Sequence, residues 1–214
     1  MINLIGAPLS PFVRKVRVYL EERNIPFTAE MALPGSNDPE FRKLSPLGKI
    51  PAFTDGDVAI SDSSVILAYL EAKNGAALVP EQPAQLARAL WFEEYGDSAE
   101  FDIFIAGIFF PQVVAPRLHG TEPDSSAIEK SVARLPEVFD YLEGEINGEF
   151  LVADRLTVAD IGVVSPFVNL QYAGHQPDSA KWPKLASYVA GIMARPSFRA
   201  AMSDEAEAMQ KMAG

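Results

Sequence analysis

The sequence contains no cysteine. That excludes disulfides, thiolate metal sites, a cysteine nucleophile and thiol transfer through a mixed disulfide. Histidine is nearly absent: His119 and His175 are the only two, each without a second ligand at helical spacing. Zinc catalysis and Ser-His-Asp chemistry are therefore poorly supported, and no metal is expected. Basic residues are outnumbered, 18 Lys and Arg against 29 Asp and Glu, for a net charge of −11. A field of that sign does not draw nucleic acid, although a local basic pocket for a small anion remains open. No run of about 18 apolar residues points to a membrane span. The opening Met1-Ile2-Asn3-Leu4-Ile5 has no basic stretch of the kind that starts a secretory signal. The expectation is a cytoplasmic protein with neither a membrane nor a nucleic acid partner.

What is present fits an ordinary packed protein. The 214 residues, 48% hydrophobic and 22% charged, suffice for one large or two small domains. Ile2 to Ile5 reads as a strand. Ser10-Pro11 opens a helix, with Ser as N-cap and Pro at the first helical position. Phe12, Val13, Val16 and Leu20 share one face of it, with Arg14, Arg17 and Glu21 turned away. After Asn24-Ile25-Pro26 a second strand is expected over 27–33, parallel to the first because a long helix separates them. Pro39 to Leu44 is a short helical segment. Asp55-Gly56 between Ala52-Phe53-Thr54 and Val58-Ala59-Ile60 signals an antiparallel hairpin. A further helix follows Ser61-Asp62-Ser63 and stops at Asn74-Gly75. The order β-α-β, then β-β-α, is thioredoxin-like.

Residues 1–75 are thus expected as an α/β domain, 76–83 as a linker, and 84–214 as an all-helical domain. The helical segments are placed at 84–116 (bent or interrupted near Gly107 and Pro111), 126–146, 158–172, 183–195 and 197–211. Thr157-Val158-Ala159-Asp160 sets a hydroxyl at N-cap and a carboxylate at N3, a capping box with Asp in place of Glu. Its role is expected to be folding.

Several segments together resemble the serine-type cytosolic glutathione transferases. Pro8 to Val16 is similar to their catalytic-serine segment, and Leu47-Gly48-Lys49-Ile50-Pro51-Ala52-Phe53 to the one carrying their cis-proline. Asp62-Ser63-Ser64 resembles the acidic-Ser pair that opens their third helix. Thr157 to Asp160, Pro166-Phe167 and Arg195-Pro196-Ser197-Phe198 extend the likeness along the whole chain. The resemblance implies a thioredoxin-like domain followed by a helical one. It also implies glutathione as co-substrate and transfer of its thiol to a hydrophobic small-molecule electrophile.

Each implied site residue has a physical reason behind it. A hydroxyl donating to sulfur at a helix N-terminus favours the thiolate over a thiol of ordinary pKa, about 8.5. Ser10 has both attributes, although N-capping alone explains it equally well. The resemblance makes Ser10 the catalytic group. Arg14, one turn on, either polarises the site or is a solvated charge. The backbone of Ile50, ahead of a cis Pro51, pairs with the cysteinyl part of glutathione as an added strand would. Asp62 and Ser63 hold the γ-glutamyl end at a helix N-terminus, and Asp62 has a shorter reach than the family's usual Glu. Lys49 pairs with the glycyl carboxylate.

The second substrate is expected against the first long helix of the helical half, with Phe104 and Ile108 lining its site. The aromatic stretch from Trp91 to Phe110 and the small α/β domain point to a homodimer, in which Asp97 or Asp102 reaches the partner's glutathione. Two alternatives remain on sequence alone: a glutathione-dependent isomerase, and a non-catalytic binding or regulatory protein that kept the fold.

Overall fold

Short apolar strands alternating with helices build a four-stranded sheet in the first third of the chain. In the computed structural model, which describes residues 1–120 and 122–213, this part comprises β1 (Ile2–Ile5), α1 (Pro11–Glu22), β2 (Phe27–Glu30), α2 (Pro39–Leu44), β3 (Ala52–Asp55), β4 (Val58–Ser61) and α3 (Ser63–Asn74). The strand order is β2-β1-β3-β4. β1 lies parallel to β2, as the intervening helix requires, and antiparallel to β3, which returns as β4 through a hairpin. This is the thioredoxin-like arrangement.

Two compact units emerge. One is Met1–Ala77 together with Pro196–Ala208; the other is Leu78–Arg195 with the chain's last residues. Most of the final helix, α10 (Pro196–Ala213), therefore clusters with the sheet rather than with the helical half expected to run from 84 to 214. Polar contacts to α1 explain this. Ser197 Oγ donates to Glu22 Oε1 at 2.6 Å, Arg17 Nη1 donates to Asp204 Oδ2 at 2.6 Å, and Arg14 pairs with Glu205.

α1 departs from its expected amphipathic pattern for the same reason. Its apolar side is buried, including Val13, Val16, Tyr19 and Leu20, but so are Arg14 and Lys15. α10 takes the Arg14 side, while Lys15 Nζ reaches Ser64 Oγ on α3 at 3.3 Å. Tyr19 OH donates to Glu71 Oε1 on α3 at 2.6 Å. Burial and the Glu71 charge hold this phenol well above its ordinary pKa, so it remains a donor.

Among its described residues, the regular elements of the second unit are all helices. α4 (Pro83–Tyr95) continues into a π-helical stretch, Gly96–Val114, and then α5 (Ala115–His119). The expected interruption near Pro111 is absorbed by this wider winding, in which Ala115 N–H donates to Phe110 C=O five residues back. The segment expected as one helix over 126–146 is two, α6 (Ser125–Val132) and α7 (Leu135–Glu145). Pro136 sits in the first turn of α7, where a missing N–H costs nothing. α8 (Val158–Tyr172) is buried from Val158 to Leu170, and α9 (Pro183–Met193) follows.

Glycine permits the closest crossing: a Cβ on Gly96 would lie 2.6 Å from the Gly162 carbonyl oxygen. Pro83–His119 is long and apolar enough to cross a membrane by length and composition alone. Packing partners account for part of that apolarity. Phe104 meets Phe139 and Phe167 at ring centroid separations of 6.0 and 5.0 Å, and Phe139 meets Trp182 at 5.0 Å.

The capping box at Thr157 forms, with Thr157 N–H donating to Asp160 Oδ2 at 2.8 Å. Asp160 also accepts from Leu151 N–H at 2.9 Å and from Tyr188 OH at 3.0 Å. Burial raises the Asp160 pKa above its ordinary value even though these bonds pull the other way. The Asp joins a loop, α8 and α9 in one network, which makes it a folding residue.

Candidate active site

The residues singled out in the first unit meet at the ends of β1, β3 and β4. Gly6, just after β1, is the pivot. A Cβ there would overlap Val13 Cγ2 at 2.5 Å and press on Ile50 Cβ at 3.2 Å. Its absence lets the first turn of α1 and the loop before β3 close on each other.

Ser10 is the N-cap of α1, with Pro11 in the first turn. Its Oγ accepts from Val13 N–H across a long 3.4 Å. Among the described residues the hydroxyl proton has no acceptor, so it remains available to a ligand. The hydroxyl is half-buried at the N-terminus of α1, whose partial positive end favours negative charge there.

The Ile50–Pro51 peptide is cis, as expected. Among the described residues, the Ile50 backbone N–H and C=O make no hydrogen bond and are free to pair with an extended peptide. The loop that presents them is held from behind. Ser45, fully buried, donates from Oγ to Lys49 C=O at 2.7 Å. Gly48 takes φ +67°, donates to Ser45 C=O at 2.8 Å, and accepts from Gly35 N–H at 2.8 Å. Arg42 lies against Gly48 and donates from Nε to Ser36 C=O at 2.6 Å. The Lys49 side chain is exposed and unpaired among the described residues.

Asp62 caps α3. Its Oδ1 accepts from Val65 N–H at 3.1 Å, and its backbone takes φ 121°, a conformation that L residues rarely adopt. Such strain is kept where surrounding structure enforces it, and functional sites are where it collects. Ser63, the first residue of α3, is buried to 4% exposure, yet its hydroxyl has no partner among the described residues. A buried, unspent hydroxyl at the N-terminus of α3 suits a carboxylate.

The other expectations fare differently. Arg14 is neither a solvated charge nor free to polarise a ligand: it is 1% exposed and forked onto Glu205. Phe104 and Ile108, expected to line the second-substrate site, are both at 0% exposure, and Phe104 is spent on the Phe139–Phe167 cluster. Sequence reading missed Gly6, Arg42, Ser45 and the Lys15–Ser64 contact. A lone serine or glycine in a loop carries no periodicity. Lys15 reads as a surface residue until α3 is placed beside it.

Comparison with known proteins now bears on this geometry. The family model described as "Glutathione S-transferase, N-terminal domain" matches residues 4–78, and "Glutathione S-transferase, C-terminal domain" matches residues 101–196. The chain belongs to the glutathione S-transferase family. Ser10, Lys49, Ile50, Pro51, Asp62 and Ser63 all fall inside the N-terminal match. Glutathione S-transferase 3 of Zea mays is 29% identical over 206 residues, covering 92% of this chain and 91% of the relative. Glutathione S-transferase F6 of Arabidopsis thaliana is 29% identical over 210 residues, covering 92% and 96%. A solved glutathione S-transferase from Rhodospirillum rubrum F11 superposes with a TM-score of 0.87 at 26% identity, covering 94% of this chain and 91% of its own.

Proposed function

We propose that this protein is a glutathione transferase that holds the glutathione thiol as a thiolate for attack on a hydrophobic electrophile. One observation carries the reading: the Ser10 hydroxyl has an unspent proton at the N-terminus of α1, in the same unit as the Ile50–Pro51 backbone and the Ser63 hydroxyl. Family membership and the names of the relatives support it.

The residues act in sequence. Ser63 and the first N–H groups of α3 take the γ-glutamyl carboxylate, with the Asp62 carboxylate close to the γ-glutamyl amine. The Ile50 backbone pairs with the cysteinyl unit, and Lys49 meets the glycyl carboxylate. The thiol then lies at Ser10. Donation from Ser10 Oγ–H to sulfur, together with the partial positive end of α1, favours the thiolate. The thiolate attacks the electrophilic carbon, a C–S bond forms, and the leaving group departs with its electron pair. No residue of this chain is consumed.

Calorimetric titration with glutathione, followed by a panel of electrophiles, tests the proposal. Wild type is expected to bind, and Ser63→Ala to bind about tenfold or more weakly, because a hydrogen bond to a charged group is lost. Wild-type affinity in Ser63→Ala would move the γ-glutamyl site elsewhere. Binding with no turnover of any electrophile would favour the regulatory reading.

We further propose that the protein acts as a homodimer. Leu90, Trp91, Phe110 and Leu118 remain exposed along Pro83–His119, more apolar surface than a solvent face needs. In that dimer Asp97 or the exposed Asp102, both on the same helix, is the candidate to approach the partner's glutathione. Light scattering at micromolar concentration is expected to give twice the monomer mass. A single monomer mass across a dilution series would leave that surface without its proposed cover.

A further inference from the structure

We infer that Glu205 on α10 is a positioning residue for Ser10, acting through Arg14. The inference rests on the glutathione reading above. Arg14 Nε and Nη2 donate to Glu205 Oε1 and Oε2 at 2.6 and 2.7 Å, a two-pronged pair in which both residues are 1% exposed. Arg14 is one turn beyond Ser10, and its N–H donates to Ser10 C=O at 3.0 Å. A force on the Arg14 side chain therefore acts on the turn whose cap is Ser10.

Among the described residues, the pair is buried more deeply than two other ties between α1 and α10. Arg17–Asp204 and Glu22–Ser197 are the others, both at 2.6 Å. On α10, Phe198, Ala201 and Glu205 are buried on one face, so the acid sits among apolar contacts that set its height along α1. Together the ties fix both the rotation and the axial position of α1.

A buried ion pair adds little stability over apolar side chains of the same volume, because desolvation offsets the attraction. What it adds is directional geometry: a planar fork meets a carboxylate in one orientation, whereas two apolar side chains can slide. The cap hydroxyl must face a thiol that is held from other elements, by the Ile50 loop and the start of α3. Small axial shifts of α1 change that distance directly, and misplacement of about 1 Å can cost a hundredfold in rate.

The test is the paired replacement Arg14→Met with Glu205→Leu, which removes both charges and leaves neither unpaired. This variant is expected to fold, with cooperative unfolding like wild type. Glutathione affinity should change by less than about threefold, because the proposed γ-glutamyl and cysteinyl contacts are made by α3 and the Ile50 loop rather than by α1. The turnover number should fall roughly ten- to a hundredfold, and the pKa of the bound glutathione thiol, read by ultraviolet titration, should rise. In a Ser10→Ala background the same replacement should cost nothing further.

Unchanged turnover and thiol pKa in the paired variant would overturn the inference. So would an equal loss in the Ser10→Ala background. Amide exchange of unliganded protein separates the inference from the reading it rests on. If wild type binds no glutathione, yet the Val13 and Arg14 amides lose protection in the paired variant, the clamp on α1 stands and the thiolate reading falls. If wild type turns over and those amides are unaffected, the clamp falls alone.

Discussion

Ser10→Ala is expected to fold like wild type and to lose ten- to over a hundredfold in turnover at saturating glutathione. The estimate follows from one hydrogen bond to a charged sulfur, about 1.5–3 kcal/mol. Folding should suffer little. The cap bond that Ser10 makes to Val13 N–H is long, at 3.4 Å, and Pro11 still sets the helix start. Loss of such a cap costs about 1 kcal/mol at most in this geometry. Glutathione affinity should hold, since the proposed γ-glutamyl and cysteinyl contacts are on α3 and the Ile50 loop. Rate measurements at saturating substrate, with thermal unfolding as the folding control, decide the matter. Wild-type turnover would remove Ser10 from the mechanism and leave it a helix cap.

The helical unit carries a different liability, and replacing it should stabilise the protein. Glu100 is fully buried in the π-helical stretch, and neither carboxylate oxygen has a partner among the described residues. Burial raises its pKa well above the ordinary carboxylate value, and the charge of Asp97 adds to that. Tyr95 and Tyr188, the other ionisable groups it bears on, are themselves raised mainly by burial and stay neutral.

The consequence for stability has a definite sign. In the unfolded chain Glu100 ionises near its ordinary pKa of about 4.3, while in the fold it holds its proton to a higher pH. Stability is therefore greatest below about pH 4.3 as far as this group is concerned. It then falls by up to about 1.4 kcal/mol per pH unit until the folded carboxyl also ionises. Glu100→Leu should remove this loss. Denaturant unfolding at about pH 5 and about pH 8 should show the variant gaining on wild type, and gaining more at the higher pH. An equal difference at both values would mean that Glu100 finds a partner for its charge.

Local signals were enough to read much of the fold. Ser10-Pro11, Asp55-Gly56 and Thr157 to Asp160 each state a helix start, a turn or a cap within four residues, and each forms where the sequence indicates. Long-range pairing was not legible. Arg14 and Lys15 look like surface charges because their partners, Glu205 and Ser64, lie 191 and 49 residues away. The same blindness put α10 with the helical half. Phe104 and Ile108 were read as site residues from apolar richness, a signal that a cavity wall and a core share, and both are fully buried. The break between α6 and α7 turned on Pro136, which a uniform helical pattern across 126–146 conceals. At the candidate site, side chains at helix starts could be found from sequence. The scaffolding behind them, Gly6, Arg42 and Ser45, acts through backbone contacts that leave no pattern.

The central claim is that this protein binds glutathione and lowers the pKa of its thiol through Ser10. Ultraviolet titration of thiolate absorbance in the saturated complex tests it most directly. The account predicts a bound thiol pKa clearly below the free value of about 8.5, returning toward it in Ser10→Ala. An unshifted thiol in the wild-type complex, or the same lowered value in both proteins, would contradict it.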